Sequence, residues 1–321
     1  MRKAHLMYIT VPVLILFLFA ALIAGFTRTG SINRLLEPRT KTDRERGNTA
    51  AKPLDIPADS KGVVSGPVRE PLPWDQDERF KALRTKYETP YLMAAYRASL
   101  PDPILFERHN IDRAAHLVSG VVVQPGQIFS QNQTAGPYST IRGFKPGPSY
   151  SGSRILPAIG GGVCKIASLL YNVAIQSNVE IVERHPHSMT VPYVPPGQDA
   201  TVTYGINDFK FRNTTKGPMM IWADSVGDTV YMAFYGQEIP PKVTWHHEQS
   251  NHSSAWTEVR YNHSLAPGIR KVAMEGHDGL TVHTWLTIET SEGKKNRRDL
   301  GKSYYRAGPR VVEVNPNKEF D

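Results

Sequence analysis

The sequence predicts an α+β protein: a module with leading helices and an antiparallel sheet, then a small all-β module, behind an N-terminal transmembrane helix. Three observations predict it. Residues 7–26 carry no charge and are dense in Leu, Ile, Val, Phe and Ala. Between residues 106 and 237 apolar residues first recur at helical spacing and then alternate as strands do. Residues 257–316 show only alternating patterns punctuated by glycine.

The first stretch is long enough to cross a bilayer, since twenty helical residues rise about 30 Å. A cleaved secretory signal fits less well. Cuts after Ala24 or Gly25 would place Leu22 or Ile23 where a small residue is preferred. Residues 1–26 are therefore read as a cytoplasmic tip and anchor. Residues 27–73 hold Pro38, Pro53, Pro57, Pro67, Pro71 and Pro73 among alternating charges, a disordered linker by composition.

The α+β module is placed at 74–240. Asp75 or Asp77 can cap a helix bearing Phe80, Leu83 and Tyr87, and Pro90 interrupts it. A second helix is expected to open at Asn110, with Ile111, Ala114, Ala115 and Val118 on one face and Gly120 at its end. Val121 to Val123 read as a short strand before a Pro125-Gly126 turn. A third helix follows Gly160, Gly161 and Gly162, with Ile166, Leu169, Leu170, Val173 and Ala174 as an amphipathic stripe. Strands are expected over 180–191, 200–204, 219–223 and 229–235. Residues 241–256 read as a connector, 257–316 as the β module and 317–321 as a tail.

Composition narrows the function. The chain has 321 residues, 40% of them apolar, so it can bury a core. Its formal net charge of +8 favours anionic partners such as lipid headgroups or acidic wall polymers. Zinc-finger spacing, RNA-binding aromatic signatures and dense basic helices are missing, so nucleic acid is not an expected partner. The single cysteine, Cys164, excludes an internal disulfide. No cofactor is expected, and nothing in the pattern sets an oligomeric state.

One set of motifs is specific in combination. Gly160-Gly161-Gly162-Val163-Cys164 is followed by Ser168, Leu170, Tyr171 and Asn172, then by Glu183-Arg184-His185-Pro186-His187-Ser188. Tyr193-Val194-Pro195-Pro196-Gly197, Asp199-Ala200 and Asp208-Phe209-Lys210-Phe211 complete the series. Upstream stand Asn110-Ile111, Ala114-Ala115, Pro125-Gly126, Phe129-Ser130 and Arg142-Gly143-Phe144. In this order, over about 130 residues, they resemble the VanW family. That family is named for an accessory gene of glycopeptide resistance, and its members look like bacterial envelope proteins without an established reaction. One departure is Lys165, where the family usually carries glutamine after the cysteine. Residues 257–316 resemble the G-five module: Gly268, Gly276, Gly279 and Gly293 match four of its five glycines, and Asn315 replaces the last. That resemblance implies an extracytoplasmic location and binding to wall sugars or peptidoglycan. It outweighs the basic residues Arg28, Arg34, Arg39, Lys41 and Arg44 after the anchor, which by charge alone would keep the body inside. A single-pass protein with a cytoplasmic N-terminus and an extracytoplasmic body is expected.

Cys164 carries the chemical question. At a helix start the free backbone N–H groups and partial positive charge stabilise a thiolate. His185 and His187, two residues apart, would share one face of a strand, and Asp199 would follow on or beside the next. Cysteine at a helix start, then His and Asp on strands, is the layout of transglutaminase-like thiol enzymes, in which His is the base and Asp orients it. By that analogy Cys164, His187 and Asp199 are the catalytic candidates, with His185 and Asp208 in reserve. Gly160, Gly161, Gly162, Lys165 and Arg184 are the candidates for contacting an amide of a wall peptide. Two other readings stay open: a packed structural cysteine, and a Cys164, His185, His187 metal site. A non-catalytic wall-binding or scaffolding protein is the competing function.

Overall fold

The computed structural model describes residues 65–69, 71–100, 103–151 and 154–317. The expected anchor and most of the expected linker lie outside the described residues. Among those described, no helix is long and apolar enough to cross a membrane.

The folded body begins earlier than residue 74. β1 (Gly66–Pro67) pairs antiparallel with β2 (Tyr91–Ser99), and Leu72 and Trp74 are buried. Between them lies α1 (Glu78–Lys86), whose N-cap is Asp77: its carboxylate accepts the Phe80 N–H at 2.9 Å. β2 follows Pro90 and was hidden in the sequence by its alanines. α2 (Glu107–Val118) opens one turn before Asn110, which is therefore not a cap. Asn110 is fully buried. Its amide donates to Lys145 O (2.8 Å) and Gly161 O (2.9 Å) and accepts Lys145 N–H (2.9 Å).

Beyond α2 come β3 (Val122–Val123), β4 (Ile128–Ser130) and the short α3 (Gln131–Ala135). The glycine- and proline-rich stretch then forms a hairpin, β5 (Pro146–Ser151) with β6 (Arg154–Ile159). Gly161 presses so closely on Gly147 of this hairpin that a Cβ on either would collide with the other's backbone. α4 (Cys164–Gln176) starts directly after that contact.

α4 is not amphipathic in place: residues 165 to 175 are all buried. One side packs on β2 and on β10 (Thr229–Gly236), reached after β7 (Glu180–Glu183), β8 (Lys210–Arg212) and β9 (Met219–Val226). The main sheet runs β1-β2-β10-β9-β3 and is covered on both faces. Ala94, Tyr96, Ala98, Met219, Ile221, Val230, Met232 and Phe234 face α2 and α4. The alternate positions Ala95, Met220, Trp222, Ala233 and Tyr235 meet Trp74 and Phe80 on the α1 side. Burial on both faces explains why these strands read as unbroken apolar runs.

Two expected strands are shorter or absent. β7 stops at Glu183 instead of Val191, because Pro186 lacks an N–H for a ladder and the His187 N–H goes to a side chain. Residues 200–204 form no named strand: the Thr201 N–H goes to His185 O, the Thr203 N–H to Asn207 O, and α4 takes Ala200 and the neighbouring Gln198. Ser168 Oγ donates to Ala200 O and accepts Ala200 N–H, and Asn172 donates to Gln198 O.

The stretch expected to be a connector is mostly β11 (Lys242–Ser253), a full strand. After β12 (Thr257–Tyr261) and β13 (Arg270–Met274), β11 pairs along its length with β14 (Gly279–Glu289). β15 (Lys295–Tyr305) completes the order β11-β14-β15, and β16 (Arg310–Val314) lies between β12 and β13. Leu286 and Ile288 join the main core, so this C-terminal sheet packs directly on the α+β module. Among the described residues the fold is α+β with mostly antiparallel sheets, and only β12 and β16 pair in parallel.

Asn110 ties α2 to the segment that presents Cys164, and Asn110→Ala removes three hydrogen bonds to the backbone of Lys145 and Gly161 from a fully buried position. We expect it to destabilise the protein by about 3 kcal/mol in urea unfolding. A loss below about 1 kcal/mol would show that the tie is dispensable.

Candidate functional site

Cys164 is the first residue of α4 and half-buried. Its sulfur sits 3.3 Å from Thr201 Oγ1 and 3.5 Å from both the N and O of Val202. The His187 imidazole is its other hydrogen-bonding partner. His187 Nδ1–H donates to Asp199 Oδ2 at 2.7 Å, which leaves Nε2 for the thiol. Asp199 is 0% exposed. Its Oδ2 also accepts the His187 N–H at 2.6 Å, and its Oδ1 accepts Arg184 Nη2 at 3.1 Å and the Tyr305 O–H.

The electrostatics follow from this arrangement. Burial pushes the Cys164 thiol up, but the hydrogen bond and charge of His187, with help from Thr201 and Val202, bring it below the usual thiol range. Burial opposes charge on His187 as well, yet Asp199 and Cys164 together raise it to about 9. Asp199 is lowered: its burial is outweighed by His187 and Arg184. Both shifts act in the same sense, each partner favouring the charged form of the other.

Cys164, His187 and Asp199 therefore meet at one point, although His187 reaches it from an irregular loop and not from a strand. The reserve residues do not. His185 turns away to Glu183 Oε1 at 3.0 Å. Asp208 accepts Ser130 Oγ–H (2.5 Å) and the N–H groups of Asn132 and Phe209, which anchors the start of α3. With His185 elsewhere, the Cys/His/His ligand set is not assembled; among the described residues no cluster of metal-binding side chains is found.

The expected substrate contacts are turned inward. Lys165 is buried, pairs with Glu107 at 3.3 Å and lies over the Tyr193 ring. Arg184 donates to Asp199 O (2.7 Å) and to Ser303 Oγ (2.9 Å) and covers the Tyr171 ring. Gly160 and Gly162 adopt left-handed backbone beside Tyr138 and Glu107, so the triple glycine shapes the turn. Thr201, Tyr193, Ser303 and Tyr305 were not singled out for this site. Tyr193 lies within a recognisable motif and Thr201 directly follows one; Tyr305 is 106 residues from the carboxylate it touches and gives no sequence signal.

What fold and site define is a carboxylate-held imidazole beside a half-buried thiol, on an α+β scaffold. Residues 107–235 match the family model described as VanW like protein. YoaR of Bacillus subtilis (strain 168) is 36% identical over 131 residues, covering 41% of this chain and 43% of YoaR. The vancomycin B-type resistance protein VanW of Enterococcus faecalis (strain ATCC 700802 / V583) is 28% identical over 118 residues, covering 35% of this chain and 43% of that protein. The chain thus spans less than half the length of either relative. Among solved structures, the IgA1 protease G5 domain is 24% identical, with a TM-score of 0.17, covering 26% of this chain and all of that one. HP0197-G5 is 20% identical, with a TM-score of 0.13, covering 23% of this chain and 97% of that one.

The thiol–imidazole pair sets a pH signature. Iodoacetamide alkylation of Cys164 should already be fast at mildly acidic pH, because the thiolate forms below the ordinary thiol range. His187→Ala should move the midpoint upward and slow the reaction about tenfold or more near pH 6. Coincident profiles for the two proteins would remove His187 from the pair.

Proposed function

We propose that this protein is a membrane-anchored, extracytoplasmic cysteine enzyme that cleaves or transfers amide bonds of cell-wall peptides. The observation that carries the reading is the line Cys164–His187–Asp199, ending on a carboxylate with no exposure. The Cys164 thiolate attacks the amide carbonyl carbon, and the electron pair moves onto the oxygen. Cys164 opens α4, whose positive N-terminal end favours that charge, although the N–H groups of Lys165, Ile166 and Ala167 are already bound to Gly162 O and Val163 O. His187 then gives its proton to the departing amine as the carbon–nitrogen bond breaks, leaving a thioester. Water, or a second amine, attacks the thioester with His187 as base, and the thiolate is restored. Asp199 holds the imidazole in orientation and balances its charge throughout.

Wall material as substrate is supported by the net charge of +8 and by the match of residues 107–235 to the VanW family model. The anchor is supported by the charge-free stretch at 7–26. The same charge favours the competing reading, a non-catalytic protein that binds peptidoglycan or anionic wall polymers.

On the enzyme reading, Cys164→Ala abolishes release of amines from purified wall peptides and shifts Tm by no more than about 3 °C. A Cys164→Ala protein that restores full envelope function to a deletion strain would overturn catalysis. Pelleting of that same variant with sacculi would then establish the binding protein.

A further inference from the structure

The C-terminal sheet does more than sit beside the site. Ser303 and Tyr305, two residues apart near the end of β15, point the same way into the α+β module and are nearly fully buried. The Tyr305 O–H donates to Asp199 Oδ1 while its oxygen accepts the Gly197 N–H at 2.6 Å. Ser303 Oγ accepts Arg184 Nη1 at 2.9 Å, and Arg184 holds Asp199 through its other two nitrogens. One step further, the Arg306 N–H donates to Ser188 O at 2.7 Å, just after His187. Gly197 lies against Thr284 and His247 of the same sheet.

Asp199 Oδ1 thus has two side-chain donors. One comes from β15, and the other is braced by β15. The His187 donors occupy only Oδ2. Without the phenol, Oδ1 keeps a single donor, the Gly197 N–H loses its acceptor, and the carboxylate is free to rotate away from the imidazole.

We propose that the end of β15 is a working part of the site, with Tyr305 as a positioning residue that orients Asp199 and, through it, His187 against Cys164. The proposal rests on the thiol-enzyme reading. It makes the C-terminal module a condition of activity, beyond any part it takes in binding the wall. Neither the layout Cys-His-Asp nor the family segment at 107–235 contains this residue.

The test uses the full chain. The pH dependence of Cys164 alkylation by iodoacetamide is measured for wild type, Tyr305→Phe, Ser303→Ala and His187→Ala. Tyr304→Phe, on the exposed side of the strand, is the control. Tyr305→Phe should shift the midpoint upward, towards an ordinary thiol, and slow alkylation near pH 6 about tenfold. On wall peptides kcat should fall by a similar factor with KM unchanged, and Tyr304→Phe should match wild type. A purely structural role would lower the amount of folded protein and leave the midpoint where it is. A Tyr305→Phe midpoint equal to wild type, while His187→Ala shifts it, overturns this proposal and leaves the enzyme reading standing. Coincident wild-type and His187→Ala profiles overturn both. Should Tyr305→Phe fail to fold, Ser303→Ala decides: a smaller upward shift supports the proposal, and no shift overturns it.

Discussion

The fully buried carboxylate of Asp199 is the constraint around which the site is arranged. An ionised group out of water is tolerated only where it is paired and its lone pairs are filled. Asp199 meets that condition with donors from His187, Arg184 and Tyr305. The loop that carries it, 197–203, makes no regular ladder. It is held to α4 by Ser168 and Asn172, one helical turn apart on the helix that also carries the thiol. The same helix therefore presents the sulfur and places the residue that orients its partner.

Much of this was legible in the sequence, for reasons particular to each element. α2, α4, β9 and β10 are long, apolar and bounded by glycine or proline, so their patterns survive without context. β2 escaped notice because Ala94 and Ala98 trade side-chain size for close approach of α4, and alanine leaves no β signature. β11 read as either a connecting strand or a linker because of its exposed, histidine-rich face; pairing with β14 makes it a strand. Asn110 looked like a cap because asparagine caps helices, whereas its buried amide serves a hairpin and a glycine turn 35 and 51 residues away.

The site was legible in residue identity more than in geometry. His187 and Asp199 were selected on the expectation of neighbouring strands, and neither lies on one. What brings them together is a proline-interrupted loop whose N–H groups turn to the carboxylate. Arg184 and Lys165 looked available to a substrate because arginine and lysine usually face water. Both are instead consumed by internal charges, Arg184 by Asp199 and Lys165 by Glu107. A contact such as Tyr305 with Asp199 joins a strand to a loop 106 residues away and is written nowhere in local pattern.

Lys165 shows how these separate choices fit one another. A cation in the first turn of α4 opposes the helix dipole and would be expelled from so buried a position without a counter-charge. Glu107, at the start of α2, supplies it across 3.3 Å. With the thiolate and imidazolium formed, the six ionised groups are Cys164, Asp199 and Glu107 against His187, Arg184 and Lys165. They sum to zero. A neutral cluster avoids the large desolvation cost of a net buried charge, so separation of charge between sulfur and imidazole changes the local balance little. Asp199 is the link to the reacting pair: His187 and Arg184 hold it ionised and it in turn raises His187, so loss of the Arg184 charge is felt at the thiol–imidazole pair, whereas Lys165 answers to Glu107.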